Sequence, residues 1–154
     1  MYHKTNMSTR VLPAAYPFTF RKNTANEVNF ANYDMVQTEI SWSRNSAMFS
    51  PVNIPVINLF NEYFGGGMAG VVFQTIRESK ALAYSTYAYY GTAYKKNEPN
   101  IMKAYVGCQA DKMNESILSM QELLDSLPFS EKLFSVTKAS LKNNFATSRI
   151  LKQQ

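Results

Sequence analysis

The feature that most constrains the fold of this chain is a run of three glycines, Gly65–Gly67, between two apolar stretches. Both stretches repeat their apolar residues at helical spacing, with Ile57, Phe60 and Phe64 before the glycines and Met68, Val72 and Ile76 after them. Glycine ends helices readily because it tolerates positive φ, so the run predicts a tight connection between two helices. The same glycines could instead hold an anion at the start of the second helix, although the Lys-Ser/Thr pair that completes a P-loop is missing.

The remaining patterns predict three strands and two further helices. The first strand lies after Val28 with Val36, Ile40 and Trp42 on one face, and the next two strands cover residues 82–94 and 101–109. The alternation along the third strand predicts four buried residues, Met102, Ala104, Val106 and Cys108. The helices are expected from near Pro51 to the glycine run, over residues 68–78, and after the candidate caps Asp111 and Ser130. This order predicts an α+β two-layer sandwich, with helices on one face of a largely antiparallel sheet.

The chain is expected to divide into two segments. Residues 1–26 are polar and contain Pro13 and Pro17, which predicts a linker or lead-in rather than a helix. Residues 27–154 are expected to form one partial domain, because the last helical stretch reaches Gln154 without a stop signal. An incomplete sheet or helical layer would leave an open edge or an apolar face, so self-association is also expected.

Composition excludes several classes of function. The net charge of +5 is carried by scattered basic residues rather than a dense stripe, so nucleic-acid binding is not expected. No apolar run approaches the ~20 residues needed to cross a bilayer, so no membrane span is expected. The single cysteine, Cys108, and the single histidine, His3, are too few for a zinc site, so the chain itself is expected to hold no metal or other cofactor.

Arg77 and Tyr84 are the residues best suited to carry chemistry. Arg77 falls near the end of the second predicted helix, and Tyr84 falls at the start of the tyrosine-rich second strand. A guanidinium and a phenol brought together at a helix end can both face a ligand. Each also has a structural explanation, since a cation stabilises a helix C-terminus by roughly 0.3–1 kcal/mol and a tyrosine suits a half-buried strand face. The residues alone favour the structural explanation.

A longer pattern around these two residues resembles a known enzyme family. Residues 61–68 read Asn-Glu-Tyr-Phe-Gly-Gly-Gly-Met, and residues 76–85 read Ile-Arg-Glu-Ser-Lys-Ala-Leu-Ala-Tyr-Ser. Together with the earlier strand at 37–40 and the later Val106-Gly107 strand with its following helix, they resemble the pitrilysin/insulinase (inverzincin) family of zinc metallopeptidases. The resemblance covers about residues 27–150.

The resemblance implies a partner and a role for both residues. Family members pair α+β domains into a clam-like chamber, in which one domain carries His-x-x-Glu-His and zinc. Its metal-free partner supplies an Arg and a Tyr to the substrate. This sequence has no His-x-x-Glu-His, so it resembles the non-metal-binding, C-terminal type of domain. The resemblance then implies Arg77 and Tyr84 as catalytic residues, for substrate positioning and oxyanion stabilisation, with zinc expected in the partner domain.

The expected function is that of a non-metal-binding domain of a zinc metalloendopeptidase, which helps to close the substrate chamber and positions a peptide for hydrolysis. The isolated chain is expected to be inactive, because the water-activating metal belongs to the partner. Two alternatives stay open: a non-catalytic assembly subunit with the same fold, and a module that binds peptides at an exposed sheet edge. The presence of both Arg77 and Tyr84 favours the peptidase.

Overall fold

The structure is a computed structural model, and it describes residues 19–148. Its strands are β1 (Gln37–Met48), β2 (Ala83–Gly91) and β3 (Pro99–Gln109), and its helices are α1 (Ile54–Phe60), α2 (Phe73–Ser79), α3 (Met113–Asp125) and α4 (Glu131–Thr147). α2 is wound as a π-helix, and α1 continues into a π-helical turn at Asn61–Gly65. The strands form one antiparallel sheet in the order β1-β3-β2. The predicted α+β fold and the order of its elements are confirmed.

The core lies between the central strand, β3, and the helices. Ala104, Val106 and Cys108 alternate along β3 and are buried, as the sequence pattern predicts. They share one cluster with Phe64 from the end of the first helical segment and with Met120 of α3. Full burial of a large apolar side chain in such a cluster stabilises the fold by about 1.5–3 kcal/mol relative to exposure. The helices therefore pack on one face of the sheet.

The glycine run makes the tight connection that the sequence predicts. A Cβ built on Gly65 would overlap the carbonyl oxygen of Ala88, so only glycine lets this helix end approach β2 so closely. Gly67 has a φ of 56°, in the left-handed region that glycine enters without strain. Gly70 then donates from its amide to the carbonyl oxygen of Gly66 at 3.1 Å. Close packing at Gly65 and the turn conformation at Gly67 thus explain why glycine occupies these positions.

The predicted start of the first strand is wrong. β1 begins at Gln37, and Val36, which was expected on its buried face, is 95% exposed. Ile40 and Trp42 do pack against the core, as predicted. The strand begins at Gln37 because that residue lies opposite Gln109, where the partner strand β3 ends.

Two further boundaries differ from the prediction. Met68 is 75% exposed, because a 3₁₀ turn at Gly67–Ala69 and an extended Gly70 delay the second helical segment until Val71. β2 ends at Gly91, before Tyr94, which lies in the following loop and is 97% exposed. The second helix and the second strand are therefore each a few residues shorter than predicted, because apolar or aromatic residues continue beyond the end of the regular structure.

Part of the predicted lead-in lies beside β1. The Asn45 amide nitrogen donates to the side-chain oxygen of Asn23 at 3.1 Å, and the Asn45 side chain donates to the Arg21 carbonyl oxygen at 2.7 Å. Residues 1–18 of this segment lie outside the described residues, so the division of the chain at residue 26 stays a prediction. Across residues 19–148, the helices are too short or too polar for any of them to cross a membrane.

Candidate functional site

Tyr84 lies in an irregularity of the sheet that turns its side chain out of the regular strand pattern. Ala83 pairs with Cys108 and Ser85 pairs with Gly107, so Tyr84 is an extra residue with no partner opposite it on β3. Such a β-bulge re-aims the side chain that it carries and often lies next to a functional site. The Tyr84 residue is 54% exposed, although it belongs to a strand of a packed sheet.

The Tyr84 hydroxyl is held by a single amide. Gln109, the last residue of β3, donates from Nε2 to the hydroxyl oxygen of Tyr84 at 2.5 Å. The two side chains line one shallow cleft of about 200 Å³. The remaining lining residues are Ala81, Leu82, Ala83 and Lys112. The cleft thus combines a phenol, an amide and an ammonium group, all of which can donate hydrogen bonds to a carbonyl or carboxylate oxygen.

Arg77 lies in the last turn of α2 and takes part in two weak local contacts. Its guanidinium carbon is 4.9 Å from the centroid of the Phe73 ring, which is a cation–π distance. Its Nε is 4.0 Å from a carboxylate oxygen of the neighbouring Glu78, and about half of the Arg77 side chain is exposed. The guanidinium also complements the helix dipole, an effect of roughly 0.3–1 kcal/mol. Most of its hydrogen-bonding capacity therefore faces solvent.

A tight connection joins α2 to β2 and sets the relation between the two predicted site residues. The Lys80 amide donates to the Thr75 carbonyl oxygen at 3.1 Å, and the Leu82 amide donates to the Ile76 carbonyl oxygen at 3.0 Å. Between them Ala81 has a φ of 49°, the left-handed conformation that reverses a chain at a helix end. Leu82 is buried in the core, so the chain enters β2 from a fixed point.

The structure places Arg77 and Tyr84 on either side of this connection but does not join them. Within residues 19–148 no hydrogen bond or ion pair links the two side chains, and Arg77 does not line the cleft beside Tyr84. Their joint action on one substrate therefore stays a prediction. Both groups are accessible, which such a role requires.

The sheet face opposite the helices carries a group of tyrosines in contact with one another. The Tyr87 and Tyr105 rings stack with centroids 5.0 Å apart and planes 14° apart, and Tyr89 lies 6.0 Å from Tyr87. Tyr87 is 46% exposed and Tyr89 is 40% exposed. This face is therefore an aromatic surface open to solvent, next to the strand end that carries Tyr84.

Two residues of the cleft were missed by sequence reasoning. Gln109 and Lys112 lie 25 or more positions from Tyr84 in the sequence, and only the register of β2 on β3 brings them beside it. The one available signal was that Gln109 ends the buried alternation of β3 with a polar residue. In the described part of the chain, no three His, Cys, Asp or Glu side chains gather as a metal site would need.

The chain belongs to the peptidase M16 inactive-domain family, whose model matches residues 4–141. It is thus a non-catalytic domain of a zinc protease family, and the pitrilysin/insulinase-type resemblance is confirmed. One relative, named "uncharacterized zinc protease YmxG" in Bacillus subtilis (strain 168), is 31% identical over 86 residues. Those residues are 56% of this chain and 19% of that protein.

Two solved structures share the fold. A peptidase M16 inactive domain from Pseudomonas fluorescens superposes with a TM-score of 0.60 at 16% identity, over 75% of this chain and 28% of that chain. A protease from Helicobacter pylori superposes with a TM-score of 0.61 at 12% identity, over the same shares of the two chains. At these identities the likeness shows the fold alone. The chain spans about a fifth of the YmxG sequence and 28% of each solved chain.

Proposed function

We propose that this domain helps to close the substrate chamber of an M16 zinc peptidase and presents Tyr84 to the peptide bond that is cleaved. One observation carries the proposal: the Tyr84 phenol projects from a β-bulge into an open cleft, with its oxygen held by the Gln109 amide. A tyrosine used only for packing would be largely buried, whereas Tyr84 is 54% exposed.

The chemistry assigns Tyr84 the task of stabilising an oxyanion. In peptide hydrolysis, negative charge develops on the carbonyl oxygen as water adds to the carbonyl carbon, and zinc in the partner domain would supply the activation of that water. A phenol O–H fixed near that oxygen donates a hydrogen bond that is stronger in the transition state than in the ground state. The Tyr84 hydroxyl fits this task, because the Gln109 bond uses its oxygen as acceptor and leaves its proton free.

Arg77 is proposed to hold the peptide backbone beside the reacting bond. Its guanidinium offers five N–H donors, and about half of the side chain is exposed. A guanidinium bonded to substrate carbonyl oxygens fixes the position of the peptide in both the ground state and the transition state. Loss of Arg77 is therefore expected to raise KM as well as to lower kcat.

The proposed partner is a zinc-bearing domain of the same family, in the same protein or on a separate subunit. The described residues of this chain offer no cluster of metal ligands, so the water-activating zinc is assigned to that partner. The open sheet face with Tyr87, Tyr89 and Tyr105 supports a role as one wall of the chamber, because it is aromatic and exposed on the same strands as the cleft.

The test compares Tyr84→Phe with Tyr94→Phe in an assembly of this chain with its zinc-bearing partner. Both variants lose one hydroxyl from an exposed tyrosine and keep the ring, and Tyr94 lies in the loop after β2, outside the cleft. Peptide turnover by Tyr84→Phe should fall by about 10²-fold in kcat, the order seen when one oxyanion donor is lost. Tyr94→Phe should turn over peptide as the unmodified protein does. Equal turnover by Tyr84→Phe would refute the proposed role.

The same experiment separates the peptidase from the non-catalytic assembly subunit. An assembly subunit would bind its partner but support no peptide turnover, and Tyr84→Phe would then leave assembly unchanged. The peptide-binding module is less well supported, because the edge of β2 is partly occupied. Asn61 accepts from the Tyr90 amide at 2.6 Å and donates to the Tyr90 carbonyl oxygen at 3.0 Å, which removes one pairing position from an added strand.

A further inference from the structure

Little in the fold of the main chain fixes the direction of the Tyr84 hydroxyl. The bulge leaves Tyr84 with no residue opposite it on β3, and the residue is more than half exposed, so strand pairing does not fix its ring and packing restrains the ring only in part. Within residues 19–148 the Gln109 amide is the one hydrogen-bond partner of this hydroxyl. Whatever orients the phenol must therefore act largely through Gln109.

Gln109 is itself well placed to act as a fixed point. It is the last residue of β3, the central strand, and it lies directly opposite Gln37 of β1. Its neighbour Cys108 is buried, which anchors the strand end in the core. The amide therefore extends from a rigid element across to the bulge on β2, and a group held by such an element is positioned more accurately than one on a loop.

We propose that Gln109 is a positioning residue that holds the Tyr84 phenol by its oxygen and leaves its proton directed at the substrate carbonyl. The inference rests on the proposed function of Tyr84. The direction of the bond matters, because an amide N–H donated to the phenol oxygen polarises the O–H group and strengthens the bond that the phenol donates in turn. An acceptor at the same position would take the phenol proton and leave nothing for the oxyanion.

Three variants of the assembled, zinc-bearing protein test this role: Gln109→Leu, Gln109→Glu and the control Gln37→Leu. Gln109→Leu removes the donor, so kcat should fall about tenfold with little change in KM, the order expected for one lost hydrogen bond. Gln109→Glu replaces the donor with a carboxylate acceptor, so kcat should fall further. Gln37→Leu changes the same residue type on the neighbouring strand, outside the cleft, and should leave kcat and KM unchanged.

A double variant distinguishes positioning from an independent effect. If Gln109 acts through Tyr84, adding Gln109→Leu to Tyr84→Phe should cause no further loss of kcat, because the hydroxyl that it positions is already gone. A further tenfold loss in the double variant would overturn the inference. The inference would also be overturned if Gln109→Leu has a normal kcat while Tyr84→Phe has a lowered kcat. That result would leave the proposed function of Tyr84 intact.

A spectroscopic measurement on the chain itself completes the test. In protein labelled at the ring Cζ of tyrosine, the Tyr84 carbon resonance should shift in Gln109→Leu, while the Tyr87 and Tyr89 resonances stay in place. Gln37→Leu should move none of the three. An unmoved Tyr84 resonance in folded Gln109→Leu would mean that the amide does not hold the phenol, and would overturn the inference. The Tyr84 resonance could respond to Gln109→Leu while Tyr84→Phe leaves peptide turnover unchanged. In that case the proposed function of Tyr84 fails, and the inference fails with it.

Discussion

Replacement of Ala81 by glycine should stabilise the domain, the reverse of the usual effect of this substitution. Ala81 has a φ of 49°, and among residues 19–148 it is the one non-glycine residue with a positive φ. The left-handed conformation costs an L-residue roughly 1–2 kcal/mol. Glycine removes that cost but adds about 0.4–1 kcal/mol of conformational entropy to the unfolded chain. Because the Ala81 methyl is exposed and little packing is lost, the net gain in free energy of unfolding should be roughly 0.5–1 kcal/mol.

Thermal unfolding followed by circular dichroism or calorimetry measures this gain. In a domain of this size 1 kcal/mol shifts Tm by about 2–4 °C, so Ala81→Gly should raise Tm by a few degrees. The matched control is Ala139→Gly, which changes an equally exposed alanine in the middle of α4. There the backbone is helical and glycine should lower the free energy of unfolding by about 1 kcal/mol. The two variants should therefore move Tm in opposite directions.

A fall in Tm for Ala81→Gly comparable to that of Ala139→Gly would refute the reasoning. It would mean that residue 81 has an ordinary negative φ, and that α2 does not pass into β2 by the left-handed reversal described here. Ala81→Val sharpens the comparison, because a β-branched side chain is a genuine outlier at positive φ. That variant should lower Tm well below that of the unmodified protein.

Two further predictions concern packing and association. Gly65→Ala should destabilise the domain by about 1–3 kcal/mol or more, because its Cβ meets the rigid Ala88 carbonyl. Gly67→Ala adds a methyl group in open space, so its only cost is the strain of an alanine at a φ of 56°. Urea unfolding should therefore give a lower free energy of unfolding for Gly65→Ala than for Gly67→Ala, and the opposite order would contradict the packing described. The chain should also self-associate at high concentration through exposed apolar side chains such as Phe129, Val136 and Phe145, and light scattering that shows a strict monomer throughout the concentration range would count against this.

The sequence predicted the fold where each element carries its own periodicity. The alternation along β3 identified Ala104, Val106 and Cys108 as core residues, and the glycine run located the break between the first two helical segments. Boundaries failed where pairing decides them. Val36 continues the apolar pattern of β1, but the strand begins only at Gln37, because the chain leaves the sheet after Gln109 and β3 offers Val36 no pairing partner. A local pattern contains no information on where a partner strand ends.

The sequence predicts only some of the residues of the candidate site. Only the family resemblance indicates Arg77 and Tyr84 as site residues, since each residue alone has a sufficient structural explanation. The bulge at Tyr84 could not be predicted, because it arises from a register shift between β2 and β3. Gln109 could not be predicted for the same reason, since 25 residues separate it from the hydroxyl that it contacts. The positions of these groups depend on pairing between distant segments, which single-sequence periodicity does not report.

The contacts that anchor the α2–β2 connection do not involve the side chains of Arg77 and Tyr84. Lys80 donates to the Ser119 hydroxyl at 2.9 Å, which ties the end of α2 to α3, and Leu82 is buried in the core. Asn61 makes two hydrogen bonds to the Tyr90 backbone and ties the same strand to the first helical segment. Arg77 and Tyr84 contribute to none of these anchors. Their substitution should therefore leave Tm nearly unchanged, so any loss of peptide turnover in the assembled protein would report on function rather than on stability.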